Sequence, residues 1–499
     1  MIPADPGRIP ARCGVAIVGA GITGLSSAHR LLEAGAVPAG EVVVLEAAER
    51  LGGQIRTLQD GPYLLEAGAD TLVTQKPAGL ALCRRLGLGE ELIRPYAGGA
   101  TVHVVRGGKL FPVPDGFMLV GPTRLAPLLA SRLFSPAGKL RMIAERFLPP
   151  ASAEAADESL RSFVTRRFGR ESFERVAEPV VGGLFTADSD RLSMQMNLSR
   201  FLDLERRSGS VWRGLAAARS RRESGGDAAD PVALRRGMQT LVERLAERLA
   251  PATLFTGARV TLLAPAPAGA WRVTVHGVGS VVAHAVVLAC PAFVAAELLR
   301  EVDPALAAGL GDLEYASCAT VNLVYDRAAV LAPPAGFGFF VPRTEGVPVL
   351  ACSHVSRKFE GRAPADHVVL RVYLGGALHG DVLDLGDREL VETAHAYLAP
   401  LLRLGQPPRL ARVHRHARAM PQLSVGDLER VRALEQRSAR HDGLFLCGGG
   451  LGAIGIPDCI RSGEGAAEQA REYLARPARV GVAAFSRPLG CGHGVGRAL

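Results

Sequence analysis

The sequence predicts an α/β chain with a parallel sheet assembled from distant stretches, a second sheet that is antiparallel, and a helical insertion. Three observations carry that prediction. An apolar run, a glycine-rich turn and helical spacing follow one another at the start (Val15-Ala-Ile-Val18, Gly19-Ala-Gly21-Ile-Thr-Gly24, Leu25 to Glu33). The same order returns near the end, in Gly443 to Cys447, Gly448 to Gly455 and Ile456 to about Leu474. Between them lie one mainly helical stretch and one rich in strand-like runs. The chain has 499 residues, room for two to four structural units, and 48% hydrophobic against 21% charged residues excludes both a disordered chain and a small disulfide scaffold.

A net charge of +9 and a pI near 9.4 admit a nucleic acid, an anionic membrane surface or an acidic small substrate. The sign alone selects none of them. Only four lysines occur (Lys76, Lys109, Lys139, Lys358), so the basicity is almost all arginine. Aromatic residues make up 5%, and no basic stretch is interleaved with Phe or Tyr, so no nucleic-acid partner is expected. The eight cysteines include no C-x-x-C pair, so neither a metal site nor a dithiol redox pair is expected. MIPADPGRIPARCG lacks the apolar core of a secretory signal, and a cytoplasmic location with reduced thiols follows as the expectation. Gly277 to Ala296 is uncharged over about the length that spans a bilayer, yet His284, Pro291 and the β-branched VVAHAVVLA read as a buried strand turning into a helix.

In the first glycine turn, Gly19 permits the tight bend, Gly21 lets backbone approach a pyrophosphate, and Gly24 lets helix pack on strand. With Ala20, Ile22 and Thr23 these residues present helix N-terminal N–H groups to phosphate charge. Glu41 to Glu46 is a second buried strand, and a carboxylate at its end can accept hydrogen bonds from both hydroxyls of a ribose. A lone glycine fingerprint also serves plain packing; here strand, helix, second strand and terminal acid agree. The continuation Ala47-Ala-Glu-Arg50-Leu-Gly52-Gly53-Gln-Ile-Arg56 adds a second close approach of backbone to the phosphates. That run resembles the second fingerprint of the large amine-oxidase and glutathione-reductase-like flavoproteins, and makes FAD rather than NAD the expected cofactor.

The C-terminal strand, loop and helix complete the same unit. Pro457 fits the first helical turn, and by the flavoprotein resemblance the helix start at Ile456, Pro457 and Asp458 faces the flavin pyrimidine edge, where its positive end favours negative charge on the reduced ring. Strands around Thr256 to Val260, Trp271 to Val275 and Val281 to Ala289 supply a third piece, with Val260 near the adenine. The expectation is a discontinuous Rossmann-type FAD-binding domain over residues 12–72, 223–292 and 414–476.

Residues 101–222 read as a helical insertion, from apolar residues three and four apart in PTRLAPLLASRLF, PAGKLRMIAERFL, DESLRSFVTRRFG and ESFERVAEPVVGGLF. Phe111, Phe117, Met118, Leu119, Leu125, Leu128, Leu129, Leu133 and Phe134 form a stripe suited either to lipid headgroups or to a buried core. Arg206 to Asp230 reads as a basic helix running into a solvated linker. Residues 73–100 and 293–413 read as a substrate-binding domain with an antiparallel sheet, from runs such as Cys318 to Tyr325, Gly336 to Pro342, Val349 to Cys352 and Val368 to Leu374. Residues 477–499 read as a loose tail.

Laid end to end, these segments resemble the flavin-dependent porphyrinogen oxidases of haem biosynthesis, the protoporphyrinogen and coproporphyrinogen oxidase family. The likeness spans nearly all of residues 14–475 and rests on Glu66-Ala-Gly-Ala-Asp70, LFSPAGKLR, EPVVGGLFTADSDRLS, GMQTLVERLAERL, MPQLSVGD and GIPDCIRSGE. The resemblance implies an FAD enzyme that removes six electrons from a hexahydroporphyrin in three two-electron steps, with molecular oxygen reoxidising the flavin and leaving as hydrogen peroxide. It places Gly68, Ala69 and Asp70 beside the flavin, Gly183 in a turn against the macrocycle, and Phe337, Phe340 and Tyr373 on the faces or edges of the ring. Where many relatives carry an arginine for the propionates, this chain has TLVTQKP, leaving Lys76 as the cation there. A second departure is Gly448-Gly-Gly-Leu-Gly-Ala, where relatives commonly have Asn or Ser and an aromatic. No side chain is assigned as acid or base, because positioning against flavin N5, the hydride acceptor, is the main demand. Protoporphyrinogen IX is the first substrate reading, coproporphyrinogen III the alternative, and an amine oxidase or carotenoid-type desaturase the remoter one. A ferrochelatase partner follows only from the family. Peripheral membrane association and the homo-oligomeric state stay open.

Overall fold

The computed structural model describes residues 9–476 apart from 36, 97–100, 153–155, 224–230, 250–253 and 334–335. The expected loose tail, the first eight residues of the N-terminal stretch and the end of the Arg206 to Asp230 run lie outside the described residues.

Arg12–Val18 is a strand of small and β-branched residues buried on both faces from Cys13 onward, the pattern of a covered parallel sheet. It pairs in parallel with Val42–Leu45 on one side (Val15 opposite Val42) and with Gly279–Leu288 on the other (Val15 opposite Ala285). Leu254–Phe255 extends the sheet beyond Val42–Leu45, and Leu444–Leu446 runs parallel to the far half of Gly279–Leu288. Ala270–Val275 and Val260–Ala266 continue it antiparallel, giving seven strands among the described residues.

Strand alternation divides the packing. Val15 and Ile17 join Leu25 and Ala28 of helix Ile22–Glu33 and Ile460, Ala467 and Ala470 of helix Ile456–Leu474. Ala16 and Val18 join Ala295 and Leu299 of helix Ala292–Leu299 and Leu306 of helix Pro304–Gly311. Each large apolar side chain so buried contributes on the order of 2 kcal/mol. The two helices of the first layer meet at their backbones: a Cβ on Gly463 would lie 2.2 Å from the Thr23 carbonyl oxygen.

The second seven-stranded sheet runs Leu410–Pro421, Tyr315–Asp326, His367–Gly375, Val349–His354, Gly338–Phe340, Val102–Arg106 and Lys109–Pro112. Its pairs are antiparallel except Gly338–Phe340 with Val102–Arg106. Val321, Leu323, Leu370 and Val372 face helix Asp387–Leu402 and form its core with Leu390, Ala394, Leu398 and Leu402. The alternate residues face the nucleotide unit. Here the structure departs from the expected boundaries: residues 102–112, read as helical, are two strands on this sheet, and strand Leu410–Pro421, not read from the sequence, runs across the expected domain boundary at 413. The first pair is short and split by the Gly107-Gly108 turn; the second alternates polar and small residues at an edge, so neither carries a long apolar run.

The helical unit has its own core, in which Phe163, Phe168, Phe173, Phe201 and Trp212 are buried. The apolar stripe belongs mostly to it. Leu128, Leu133 and Phe134 are buried, Phe111, Phe117, Met118 and Leu119 pack partly against it, and only Leu125 and Leu129 of the stripe are exposed. Val211, Trp212 and Leu215 are also buried there, so the start of helix Val211–Glu223 is packed rather than a solvated linker. The described cysteines are all free thiols, and among the described residues no helix is long and apolar enough to cross a membrane.

Candidate active site

At the end of Arg12–Val18 the backbone turns through Gly19, with φ +103° and its N–H donated to the Leu45 carbonyl at 2.8 Å. A Cβ on Gly24 would stand 1.9 Å from the Gly19 carbonyl oxygen, which fixes the close helix–strand approach. Gly21 differs. Its φ of −68° suits any residue, and no atom lies within 4 Å of where its Cβ would be. Neither backbone strain nor packing requires glycine there; what it provides is open space at the start of a helix whose N-cap has no side chain to offer the N–H groups of Ile22, Thr23 and Gly24.

The second glycine loop closes on the first. Gly52 donates its N–H to the Ala20 carbonyl at 2.8 Å, and Gly53 comes so near that its Cβ would be 3.2 Å from the Gly21 Cα. Arg50 shapes this loop, donating to the carbonyls of Leu51, Gly53 and Ile55. Glu46 accepts the Ala20 N–H at 2.7 Å and, across Ala47, the Ala48 N–H at 2.9 Å. Val260 lies in the adjoining core beside Phe255, and Ala258 donates to the Glu46 carbonyl at 2.8 Å.

The stretch Glu66-Ala67-Gly68-Ala69-Asp70 is clamped from several elements. The Glu66 carboxylate is buried, which raises its pKa, and accepts the Met238 N–H at 2.8 Å and the Thr57 hydroxyl at 2.7 Å. Asn322 donates to the Glu66 carbonyl, Thr320 to the Ala67 carbonyl at 2.6 Å, and Arg371 to the Gly68 carbonyl at 3.1 Å. Gly68 sits where a Cβ would collide with the Gln54 carbonyl. Asp70 lies 2.9 Å from Arg371 and 3.1 Å from Lys358. Burial alone would raise its pKa, but the two cations outweigh it and hold the carboxyl well below the ordinary range. Sequence reading missed Arg371, Lys358, Thr320, Asn322 and His416 as partners of this wall.

Ile456, Pro457 and Asp458 open the terminal helix behind Gly455, all three buried. Asp458 pairs with Lys76 and with Arg461. Lys76, expected as a free cation for a propionate, is thus already engaged by a buried carboxylate at a helix N-terminus, although half of its side chain remains exposed.

Phe340, Ala351, Tyr373 and Thr320 occupy one register row across four strands, and Thr320 fixes that face as the one turned towards Ala67. Gly183, in helix Glu178–Phe185, meets the same row: its Cβ would be 2.7 Å from the Phe340 ring. Arg371 lies under Tyr373, 5.0 Å from its ring centre. Phe337 precedes the strand and shares no row with Phe340 and Tyr373; its N–H donates to the Thr101 carbonyl. A cavity of about 410 Å³ is lined by Tyr315, Ser317 and Arg418 together with Asp188 and Arg191 of the EPVVGGLFTADSDRLS run and Gln422 of MPQLSVGD, and by none of the residues expected to touch the cofactor or substrate.

The profile of the family described as "Flavin containing amine oxidoreductase" matches residues 22–471. The chain belongs to that family. Coproporphyrinogen III oxidase of Bacillus subtilis (strain 168) is 30% identical over 92% of this chain and 98% of its own length. The chloroplastic protoporphyrinogen oxidase of Oryza sativa subsp. japonica is 30% identical over 95% and 91%. A crystal structure of a provisionally named protoporphyrinogen oxidase from Exiguobacterium sp. 255-15 superposes with a TM-score of 0.80 at 27% identity, covering 92% of this chain and 99% of that one. Within the flavin-containing amine oxidoreductases the chain therefore falls in the porphyrinogen oxidase group. Its cofactor is FAD. The residues present fit it: the unfilled space at Gly21 flanked by helix N–H groups suits a pyrophosphate, and Glu46 at the strand end suits a ribose.

Proposed function

We propose that this flavoprotein oxidises a porphyrinogen, with protoporphyrinogen IX converted to protoporphyrin IX in haem biosynthesis. Six hydrogens leave the ring in three pairs, and three molecules of oxygen leave as hydrogen peroxide. The observation that carries the reading is the row of Phe340, Ala351 and Tyr373 on the sheet face covering Glu66 to Asp70, with side-chain-free Gly183 against it. It makes a wide floor for a macrocycle. FAD supplies the hydride acceptor. Tyr373 and Phe340 orient the macrocycle through ring contacts, Gly183 lets its helix close onto Phe340 and hold that ring, and Gly68, Ala69 and Asp70, stiffened by Arg371 and Lys358, keep the facing wall in place. The Lys76 ammonium has two N–H donors beyond the one on Asp458, and a substrate carboxylate docks on that exposed side. Pyrrole N–H protons leave to water.

A second reading, coproporphyrinogen III to coproporphyrin III, is favoured by relatives in Bacillus subtilis and Propionibacterium freudenreichii that carry that name, at 30% and 31% identity. The test measures porphyrin fluorescence under air with both porphyrinogens side by side, corrected for spontaneous oxidation. A preference names the substrate. If neither ring reacts while flavin is visibly bound, the porphyrinogen reading falls and an amine or carotenoid panel comes next.

Peripheral membrane association is part of the same reading, through Leu125, Leu129, Leu140 and Phe147, which stand exposed within one segment of the helical unit beside Arg132 and Lys139.

A further inference from the structure

The carbonyls of Glu66, Ala67 and Gly68 receive donors from Asn322, Thr320, His416 and Arg371. Among these donors only imidazole changes its proton count near neutral pH. His416 stands half-buried on strand Leu410–Pro421 with Nε2 2.9 Å from the Ala67 carbonyl and 3.4 Å from the Thr320 hydroxyl, and Nδ1 2.8 Å from Gln54 Oε1. It therefore ties the glycine loop carrying Gln54 to the wall carrying Ala67.

The proton count of this clamp is restricted. A backbone carbonyl cannot donate, so Nε2 carries hydrogen in every state. In the neutral ring Nδ1 is then an acceptor, and the Gln54 amide must present its NH₂ group. With Gln54 Oε1 facing Nδ1, as placed, both ring nitrogens face acceptors and the imidazolium satisfies them. The charged groups acting on it are Arg371, on His367–Gly375 beyond the neighbouring strand, and Arg50 of the glycine loop; His414, two residues along its own strand, faces Arg56, Arg412 and Arg50. Burial and the Arg371 and Arg50 charges hold its pKa below the ordinary value, against the opposing pull of the Ala67 carbonyl. The clamp is thus short of negative charge, and the glycine loop it holds packs on Gly21, where the cofactor's two phosphates are placed.

We propose that His416 is a positioning residue for FAD: the cofactor's negative charge recruits one proton onto the imidazole, Gln54 turns its oxygen to receive Nδ1–H, and the two flavin loops lock together. The inference rests on Gly21 and Glu66–Asp70 flanking the flavin and is independent of which porphyrinogen is the substrate. The reciprocal consequence is that FAD binds more tightly as pH falls through the pKa of His416.

The experiment titrates deflavinated full-length chain with FAD at a series of pH values, reading flavin fluorescence quenching, with no substrate present. Wild type should bind about three- to tenfold more tightly near pH 5.5 than near pH 8. A flat or opposite profile overturns the proposal. His416→Gln keeps an amide donor for Ala67 but cannot gain a proton, and its profile should be flat; a retained slope overturns the proposal. Gln54→Glu, which places a carboxylate on Nδ1, leaves the imidazole in place and should move the midpoint upward by about one pH unit or more, and an unmoved midpoint overturns it as well.

Discussion

At Gly21 a side chain would meet nothing of the protein, which singles it out among the glycines of the turn: Gly19 and Gly24 are fixed by the fold itself. Gly21→Val should therefore give a folded protein, with unchanged far-ultraviolet circular dichroism, that is purified without yellow colour. Tyr373→Ala should leave flavin bound and raise KM for the porphyrinogen about tenfold, measured by initial rates; unchanged kinetics would remove Tyr373 from the binding row. Asp70→Ala leaves Arg371 buried beside Lys358 without the carboxylate and should cost about 3–5 kcal/mol in a denaturant titration. Local spacing made Gly21, Glu46 and the double glycine legible in the sequence, because a turn and its strand are neighbours in the chain. Arg371, Lys358 and His416 were not, since their partners at Asp70 and Ala67 lie between 288 and 349 residues away. One signal was available: an arginine inside the apolar run VVLRVYLG has to be paired if that strand is covered.

Helix Glu178–Phe185 approaches the sheet by way of a residue without a side chain. Gly183→Ala puts a methyl group 2.7 Å from the Phe340 ring, an overlap of the kind that costs about 1–3 kcal/mol. Combining it with Phe340→Ala should recover most of that loss in a double-mutant cycle; additive losses would mean that the helix does not lean on Phe340. Elements with a strong period were readable: both nucleotide-unit helices, the strands flanking them and the strand expected in the uncharged Gly277 to Ala296 run. Two strands at 102–112 were lost because four or five residues around a Gly-Gly turn show no period. The apolar stripe was readable as a stripe but not as an address, since spacing reports that a face is covered and not by what. Phe147 and Leu140, outside the stripe, are the more exposed pair, and Phe147→Ser with Leu140→Ser should at least halve sedimentation with anionic vesicles while leaving oxidation in detergent unchanged.

Across the whole molecule two buried carboxyls give stability opposite pH dependences. Asp70 has its pKa depressed, so its contribution is complete above the unfolded value of 3.8 and is lost as the solution becomes more acidic than that. Glu178 is pushed up to about 8, first by burial and then by Asp190, with Arg161 opposing. Its contribution is complete below the unfolded value of 4.5 and is lost as pH rises through about 8. Glu178→Gln should stay within about 1 kcal/mol of wild type near pH 5 and exceed it by about 4 kcal/mol more near pH 9, read from chemical unfolding. The sheet that receives FAD also sets an order of events during synthesis. Its central strand, Arg12–Val18, leaves the ribosome first, but its neighbour Gly279–Leu288 follows hundreds of residues later, and the helix packed on Ile22–Glu33 comes from Ile456–Leu474. A nascent chain arrested before residue 444 lacks the strand and helix that close the pocket. Cofactor loading accordingly waits for strand Leu444–Leu446 and helix Ile456–Leu474, and nascent chains arrested before residue 444 should carry no flavin.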